Sequence, residues 1–247
     1  MKIAAAQIRS APGDIEGNIE RHVRLIERAA SRGSAAVFFP EMSLTAYEPR
    51  MAEQLAMTEA DARWDVLQAL SDRHRMLIAV GAPYRGVQGP EIGMFIFRNR
   101  QARAVYSKQM LHADERPYFT PGTRILPLTL GADTLVPAIC FESLQRETVL
   151  AAKQAGATVY VASVAKHSLG MQRAYPHYAT VAREHAMVVI VSNGVGHADG
   201  FEMSGQSAAW GQDGALVCSA GNEDEALVVY DLATRSGSTF APSAVIA

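Results

Sequence analysis

The amino-acid sequence predicts an α/β protein in which helices and mixed β-sheets form a layered sandwich. Near the N-terminus an apolar strand, an amphipathic helix and a second apolar strand follow one another, which is the order typical of α/β folds. Further along, two strands are joined by residues 98–101, which indicates a hairpin and so an antiparallel pair. The sheets are therefore expected to contain both strand orientations.

The predicted strands are short apolar runs bounded by Gly, Pro or polar residues. In chain order they cover residues 2–8, 35–39, 76–82, 91–97, 102–106, 125–130, 134–139, 157–163 and 187–191, with three further short strands within 205–231. Pro40 ends the second strand because proline cannot donate a hydrogen bond to a neighbouring strand.

Four segments carry apolar residues at helical spacing, and they cover residues 15–30, 59–74, 143–155 and 172–186. The first begins after the capping residue Asp14 and ends before Gly33. Residues 108–123 are polar, aromatic and interrupted by Pro and Gly, which predicts an irregular segment with a functional role. No linker or repeat interrupts this pattern, so a single domain over residues 1–247 is expected.

The composition excludes several classes of function. Apolar residues make up 49% of the chain, and 23 basic against 25 acidic residues give a net charge of -2. Such a chain has no field that recruits nucleic acid or an anionic membrane. No apolar stretch is long enough to span a membrane. Two cysteines build no disulfide framework, which predicts a cytoplasmic protein.

Three polar residues share one context, because each lies at or just beyond an apolar strand: Glu41, Lys108 and Cys140. Open α/β sheets place their chemistry at the carboxyl ends of their strands. A carboxylate accepts the proton of a thiol, and an ammonium stabilises the oxyanion that forms when the thiol attacks a carbonyl. The three residues together predict nucleophilic acyl chemistry. The other cysteine, Cys218, lies within a strand and is interpreted as a packing residue.

Three segments, in this order, resemble the motifs of the nitrilase, or carbon-nitrogen hydrolase, superfamily. They are Phe38-Phe-Pro-Glu-Met-Ser-Leu-Thr-Ala-Tyr47, then Tyr106-Ser-Lys108 with Leu111, Glu115 and Phe119-Thr-Pro-Gly122, and finally Ile139-Cys-Phe-Glu142. Ala46 stands where the family usually has Gly. The resemblance covers nearly the whole chain.

The resemblance implies a four-layer α-β-β-α sandwich and a Glu-Lys-Cys triad. Glu41 would be the general base, Cys140 the nucleophile that forms a thioester, and Lys108 the oxyanion stabiliser. Glu115 matches the additional family glutamate that helps to position the substrate, with an ion pair to Arg116 or another surface cation as the alternative.

The implied substrate is a small linear amide or ureido compound, and no cofactor or metal is expected. Candidate substrate-binding residues are Tyr47, Phe141 through its backbone N–H, Glu142 and Lys166. Similar proteins pair through a two-fold interface, so a homodimer or higher homo-oligomer is expected. Its contact is assigned to the helix 143–155, whose apolar residues are Leu144, Val149, Leu150 and Ala152.

Lys166 is a candidate because of its place in the predicted topology. If the strands 134–139 and 157–163 are parallel neighbours joined by the helix 143–155, the segment after the second strand leaves the sheet beside Cys140. That segment contains Lys166, His167 and Arg173. A carboxylate on the substrate is the expected partner of Lys166, and the alternative is that all three are solvated loop cations.

Rival functions remain open at this point: a nitrilase, an acyltransferase, or a catalytically silent relative that acts as a binding protein. A Cys-His hydrolase using His112 is a further rival, but the papain signature around the cysteine is absent. The seven histidines form no H-E-x-x-H pattern, and Gly194-Val-Gly196 is not followed by a helix-opening glycine. Neither a metal site nor a dinucleotide site is predicted.

Overall fold

Two β-sheets stacked face to face, each covered by helices on its outer surface, make up the protein in a computed structural model that describes residues 1–241. The strands are β1 (Lys2–Gln7), β2 (Ser34–Phe38), β3 (Leu77–Arg85), β4 (Pro90–Phe97), β5 (Ala104–Ser107), β6 (Leu128–Leu130), β7 (Asp133–Ile139), β8 (Val159–Val164), β9 (Val188–Asn193), β10 (Val195–Ala198), β11 (Phe201–Ser204), β12 (Ala208–Trp210), β13 (Leu216–Ser219), β14 (Ala226–Asp231) and β15 (Ser236–Phe240). The α-helices are α1 (Ile15–Ser31), α2 (Ala52–Leu55), α3 (Asp65–His74), α4 (Arg146–Gln154) and α5 (Ser168–His185). Short 3-10 helices lie at Pro49–Met51, Ala62–Trp64 and Cys140–Leu144.

The apolar side chains form one interior layer between the sheets and one layer under the helices of each sheet. Phe38 and Ile139, from different sheets, meet in the central layer, whereas Val37 faces α1 and α3 because successive strand residues point to opposite faces. Tyr178 of α5 packs on the outer face of the other sheet. Each fully buried large apolar side chain contributes roughly 1.5–3 kcal/mol. The predicted four-layer α-β-β-α sandwich is confirmed.

Both sheets have parallel strands at their centre and antiparallel strands outside. The first has the order β15-β14-β1-β2-β3-β4-β5 and the second β13-β12-β9-β8-β7-β6, while β10 and β11 form a separate ribbon. The pairs β1–β2, β2–β3, β7–β8 and β8–β9 are parallel. Strand β5 has the direction of β2, because two antiparallel pairings separate it from β3. The carboxyl ends of β2 and β5 therefore share one edge of their sheet.

Two predicted helices begin later than their apolar periodicity suggests. The helix expected over 59–74 starts at Asp65, because Asp61 caps a separate 3-10 helix and Trp64 Nε1 donates to Thr58 O at 2.9 Å. The helix expected over 143–155 is α4, which starts at Arg146 because Gln145 has an extended backbone. The residues before it form the 3-10 helix that begins at Cys140.

The helix expected from residue 172 begins earlier, at Ser168, where the His167 side chain accepts a hydrogen bond from Gly170 N. Arg173, at the start of the predicted helix, is exposed within α5. The strands β10, β11 and β15 were not expected from the sequence pattern. Strand β15 reads Ser-Gly-Ser-Thr-Phe, which lacks the apolar character of a core strand because it lies at a sheet edge.

The helix assigned to a dimer contact turns part of its apolar surface toward its own sheet. Val149 and Ala152, on the inner face of α4, are buried against that sheet, and Leu144 packs against the same cluster. The homodimer therefore remains a prediction, and the partly exposed apolar residues of that set are Leu144 and Leu150. Across residues 1–241, no helix combines the length and the apolar character that crossing a membrane requires.

Candidate active site

The three polar residues singled out at strand ends lie together in the structure. Lys108 directly follows β5, Cys140 directly follows β7, and Glu41 lies three residues after β2. Lys108 Nζ donates to Glu41 Oε1 at 2.8 Å, and neither side chain is exposed to solvent. The neighbouring Cys140 thiol is one of the groups that act to lower the pKa of Glu41. A thiol, a carboxylate and an ammonium thus share one enclosed site.

Glu115 completes the surroundings of Lys108. Lys108 Nζ donates to Glu115 Oε1 at 2.6 Å, so the ammonium lies between two carboxylates. Tyr47 OH donates to the same Oε1 at 3.0 Å, and His112 N donates to Oε2 at 2.7 Å. The partner of Glu115 is therefore Lys108 and not Arg116. The irregular segment predicted over 108–123 supplies both Lys108 and Glu115.

The protonation states follow from burial and from these neighbours. Burial alone lowers the pKa of Lys108, but the charges of Glu41, Cys140 and Glu115 raise it further than burial lowers it, so the net shift is upward. Lys108 therefore remains an ammonium and cannot act as a base. Burial is the largest effect on Glu41 and raises its pKa; the Lys108 ammonium opposes it, the charge of Glu115 adds to it, and the net shift is upward. Glu41 Oε2 is buried and makes no hydrogen bond within residues 1–241.

The thiol of Cys140 is protonated at rest. Burial and the charge of Glu41 raise its pKa, although Lys166, Lys108 and the backbone N–H of Ala165 act in the opposite direction. A neighbouring ammonium by itself would lower the pKa of a thiol, but the net shift of the Cys140 pKa is upward. The reason is that the thiol shares its buried position with a carboxylate. Proton transfer to Glu41 is therefore needed when the sulfur attacks.

The backbone at the nucleophile is held in an uncommon conformation. Cys140 has φ +50°, which non-glycine residues rarely adopt. Ser143 Oγ donates to Cys140 O at 2.6 Å and lies 2.8 Å from Tyr178 OH, which anchors this turn to α5. Ala46 has φ +59°, which explains why the family usually has Gly at that position. Strain of this kind is characteristic of functional sites.

The turn that carries Glu41 is supported by His22, a residue that the sequence analysis missed. His22 Nδ1 lies 2.7 Å from Asn18 O and Nε2 lies 3.0 Å from Ser43 Oγ. Burial lowers the pKa of His22 to about 4, so the neutral ring donates through Nδ1 and accepts from Ser43. The available signal was that Asn18 and His22 lie at the same helical spacing as the apolar residues of α1.

Lys166 lies beside the nucleophile, as its predicted topology required. Strands β7 and β8 are parallel neighbours, and the charge of Lys166 lowers the pKa of Cys140. The Asn193 side chain fixes the Lys166 backbone through two hydrogen bonds of 2.9 Å: Oδ1 accepts from Lys166 N, and Nδ2 donates to Lys166 O. Lys166 is half-buried and forms no ion pair within the described chain. His167 and Arg173, the other two cations of this segment, are exposed.

The hairpin of β10 and β11, which the sequence analysis did not predict, places an aromatic side chain near Tyr47. Phe201, at the start of β11, has its ring centroid 6.0 Å from Tyr47 and 6.1 Å from His167. The sequence signal was the pair Asp199-Gly200, a typical two-residue hairpin turn. Gly200 has φ +77°, as such a turn requires.

Two of the remaining candidates have other partners. Glu142 is fully buried, and both carboxylate oxygens accept hydrogen bonds from the protein, which favours a structural role over the predicted contact with substrate. His112 pairs with Asp114 at 2.5 Å, and its ring lies 5.3 Å from that of Phe141. No hydrogen bond joins His112 to Cys140 within residues 1–241, so the Cys-His arrangement finds no geometric support. No group of three potential metal-ligating side chains occurs in the same range.

Comparison with known proteins identifies relatives of this arrangement. The family model for carbon-nitrogen hydrolase matches residues 2–239. Two glutamine-dependent NAD(+) synthetases, from Aquifex aeolicus and Thermotoga maritima, are 24% and 22% identical over 94% of this chain. The chain spans 42% of the length of each.

Solved structures of an amidase from Nesterenkonia sp. AN1 share the fold. Its complex with butyramide aligns with a TM-score of 0.85 at 22% identity, covering 95% of this chain and 92% of that chain. Its complex with acrylamide aligns with a TM-score of 0.84 at 23% identity, covering 94% and 90%. In a glutamate-to-glutamine mutant of that amidase, acrylamide is added at the active-site cysteine. With the family model matched over nearly its whole length, this chain belongs to the carbon-nitrogen hydrolase family.

Proposed function

We propose that the protein hydrolyses the carbon-nitrogen bond of a small linear amide or ureido compound through a Cys140 thioester. The observation that carries the proposal is the buried contact of Lys108 Nζ with Glu41 and Glu115, at 2.8 and 2.6 Å, beside the thiol. A solvated surface cation has no such surroundings. A buried ammonium held by two carboxylates is suited to meet a developing oxyanion.

The first half-reaction uses the proton relation between Cys140 and Glu41. The sulfur forms a bond to the carbonyl carbon as the thiol proton passes to Glu41, and the carbonyl electron pair moves onto oxygen. Lys108 and the Phe141 N–H stabilise this oxyanion. The carbon-nitrogen bond then breaks, and Glu41 returns the proton to the departing nitrogen. Ammonia or an amine leaves, and a thioester remains.

The second half-reaction regenerates the thiol. Glu41 takes a proton from water as the water oxygen attacks the thioester carbon, and Lys108 again stabilises the oxyanion. The carbonyl re-forms as the carbon-sulfur bond breaks, the acid product leaves, and Glu41 returns its proton to the sulfur. The raised pKa of Glu41 suits this double duty, because a carboxyl group with a pKa nearer neutrality both accepts and donates protons efficiently.

Glu115 acts on Lys108 in this scheme. It holds the ammonium at 2.6 Å and is itself held by Tyr47 and the backbone of His112. Two of the three Lys108 N–H donors are held by Glu41 and Glu115, and these contacts fix the direction of the third. Positioning of this kind is how a preorganised site stabilises a transition state at little reorganisation cost. Tyr47 thus contributes to the site through Glu115 as well as through its aromatic ring.

Lys166 makes a carboxylate-bearing amide the favoured substrate class. Its cation has no carboxylate partner within residues 1–241, and its charge reaches Cys140. A second candidate is a neutral short aliphatic amide, which the butyramide and acrylamide complexes of the Nesterenkonia amidase favour. The glutamine-dependent relatives instead favour an amide that carries a carboxylate. The two candidates differ in whether Lys166 contributes to binding.

The test is ammonia release from matched substrates. Butyramide, glutamine, a ureido acid and an aliphatic nitrile are compared at equal concentration, with Cys140→Ala protein as the blank. We expect release from the amides or the ureido acid and little from the nitrile. Release mainly from the nitrile would instead identify a nitrilase. No release from any of the four would favour the silent relative that acts as a binding protein.

Replacing Lys166 by Ala is expected to remove the preference for acidic substrates. A charge-assisted hydrogen bond contributes roughly 1.5–3 kcal/mol, so KM for glutamine should rise about 10- to 100-fold. Butyramide kinetics should change far less. The matched control is Arg173→Ala, an exposed cation on α5 that should leave both substrates unaffected. Equal losses on glutamine and butyramide in Lys166→Ala would contradict a carboxylate contact.

Limited treatment with iodoacetamide at neutral pH is expected to label Cys140 before Cys218. Cys140 has Glu41 to accept its proton and Lys108 beside it, whereas burial raises the pKa of Cys218 to about 11 without a compensating partner. Mass spectrometry of the digested native protein measures both labels. Equal labelling of the two thiols, or an unlabelled Cys140, would count against an activated nucleophile. Unfolded protein, in which both should react alike, is the control.

A further inference from the structure

The carboxylate of Glu142 accepts four hydrogen bonds. Oε1 accepts from Tyr106 OH at 2.6 Å and from Ile139 N at 2.8 Å. Oε2 accepts from Gln109 N at 2.6 Å and from Met110 N at 3.1 Å. The residue has no exposed surface and forms no ion pair within the described chain. Its negative charge is therefore balanced by hydrogen-bond donors alone.

Two of the four donors come from strands of different sheets, and the other two come from the segment that follows Lys108. Ile139 is the last residue of β7 and immediately precedes the nucleophile. Tyr106 lies in β5 of the other sheet, and Gln109 and Met110 immediately follow Lys108. One carboxylate therefore joins the backbone beside Cys140 to the backbone beside Lys108.

A local role does not account for this arrangement. The bond from Ile139 N alone would cap the 3-10 helix that begins at Cys140. The other three donors lie 32 to 36 residues away in sequence; Tyr106 shares Oε1 with Ile139, and Gln109 and Met110 together occupy Oε2. Burial raises the pKa of Glu142, while these hydrogen bonds oppose the shift by favouring the charged form. Burying the Glu142 carboxylate costs free energy. It is buried at the point where Lys108 and Cys140 must be aligned.

We propose that Glu142 is a positioning residue that ties the Lys108 segment to the Cys140 turn and so sets the ammonium where the oxyanion forms. The inference rests on the proposed function of Lys108. It replaces the substrate contact that the sequence suggested for Glu142. A displacement of about 1 Å between reacting groups is enough to lower a rate by about 100-fold.

The decisive variant is Glu142→Gln, because an amide cannot accept from all four donors. Either orientation of the amide turns its NH2 group toward at least one backbone N–H, from Ile139 or from Gln109 and Met110. We expect kcat to fall roughly 10- to 100-fold with KM changed less than about threefold. The matched control is Asp133→Ala, at the opposite end of β7, which removes a hydrogen bond from Thr158 at 2.9 Å. It should lower thermal stability and leave kcat near that of wild type.

A double-mutant cycle with Lys108→Met separates positioning from general loosening. If Glu142 acts through Lys108, adding Glu142→Gln to Lys108→Met should lower kcat by less than about threefold further. A loss equal to the product of the two single losses would overturn the proposal, as would a folded Glu142→Gln protein with kcat within about twofold of wild type. Normal kcat in Lys108→Met alone would instead refute the proposed function.

If Glu142→Gln does not fold, Tyr106→Phe tests the positioning role of Glu142. It removes one of the four donors and leaves the three backbone donors in place. We expect a kcat loss of about tenfold, again absorbed when Lys108 is already Met. Unchanged kcat in this variant, or a loss that is fully additive with Lys108→Met, would overturn the positioning role.

Discussion

Replacing Cys140 by Ala is expected to abolish ammonia release, lowering kcat by at least about 10⁴-fold. The variant lacks the sulfur atom that forms the thioester, and neither Glu41 nor Lys108 can replace it as the nucleophile. Cys140→Ser should be nearly as inactive. A serine hydroxyl is far less acidic than a thiol. Glu41 is a carboxylate, and even with a raised pKa it is a weak base for removing a hydroxyl proton. Steady-state ammonia release, with folding checked by circular dichroism, is the measurement.

The other cysteine supplies the control. Cys218 lies in β13 and packs against the layer between the sheets, with Sγ 3.9 Å from Val229 O. Cys218→Ala should retain nearly wild-type kcat and lose some stability because a small cavity remains. Measurable turnover by purified Cys140→Ala, above that of a mock preparation, would refute covalent catalysis through this thiol. Loss of activity in Cys218→Ala alone would point to a second essential sulfur.

The positions of the candidate site residues could be predicted because these residues follow strands whose apolar runs are unambiguous. Residues 35–39 and 134–139 read as buried strands, and β2 and β7 occupy nearly the same positions. Strand ends in an α/β fold converge, so a thiol, an ammonium and a carboxylate placed there meet in space. The same reasoning placed Lys166 beside Cys140, because the parallel pairing of β7 and β8 follows from the connecting helix.

Contacts between distant segments could not be predicted. Glu142 accepts hydrogen bonds from Tyr106 and Gln109, which lie 36 and 33 residues away in sequence, and no local sequence pattern around Glu142 predicts those donors. The helix expected over 143–155 was too long, because residues 140–144 form a 3-10 helix whose shape depends on Ser143 and Tyr178. The hairpin of β10 and β11 lacks a continuous apolar run, although Asp199-Gly200 carried the correct turn signal.

Lys108→Met is expected to lower kcat by about 100-fold or more while KM changes much less. The ammonium matters most when the carbonyl oxygen becomes charged, so its loss raises the transition state more than the bound substrate. His112→Ala is the comparison, because that exposed residue pairs with Asp114 and makes no hydrogen bond to the thiol within residues 1–241. Retained activity in Lys108→Met together with inactive His112→Ala would favour the Cys-His mechanism instead.

The same substitution has a second effect that must be separated from the first. Lys108 is the common partner of Glu41 and Glu115, so Lys108→Met leaves two buried carboxylates without a cation. Removing one partner of a buried ion pair lowers the free energy of unfolding by roughly 3–5 kcal/mol. The double variant Lys108→Met with Glu115→Gln removes one of those charges. We expect thermal unfolding to return toward the wild-type temperature in the double variant, while kcat stays low because the oxyanion still lacks its ammonium. Recovery of kcat along with stability would mean that Lys108 serves only to neutralise the two carboxylates.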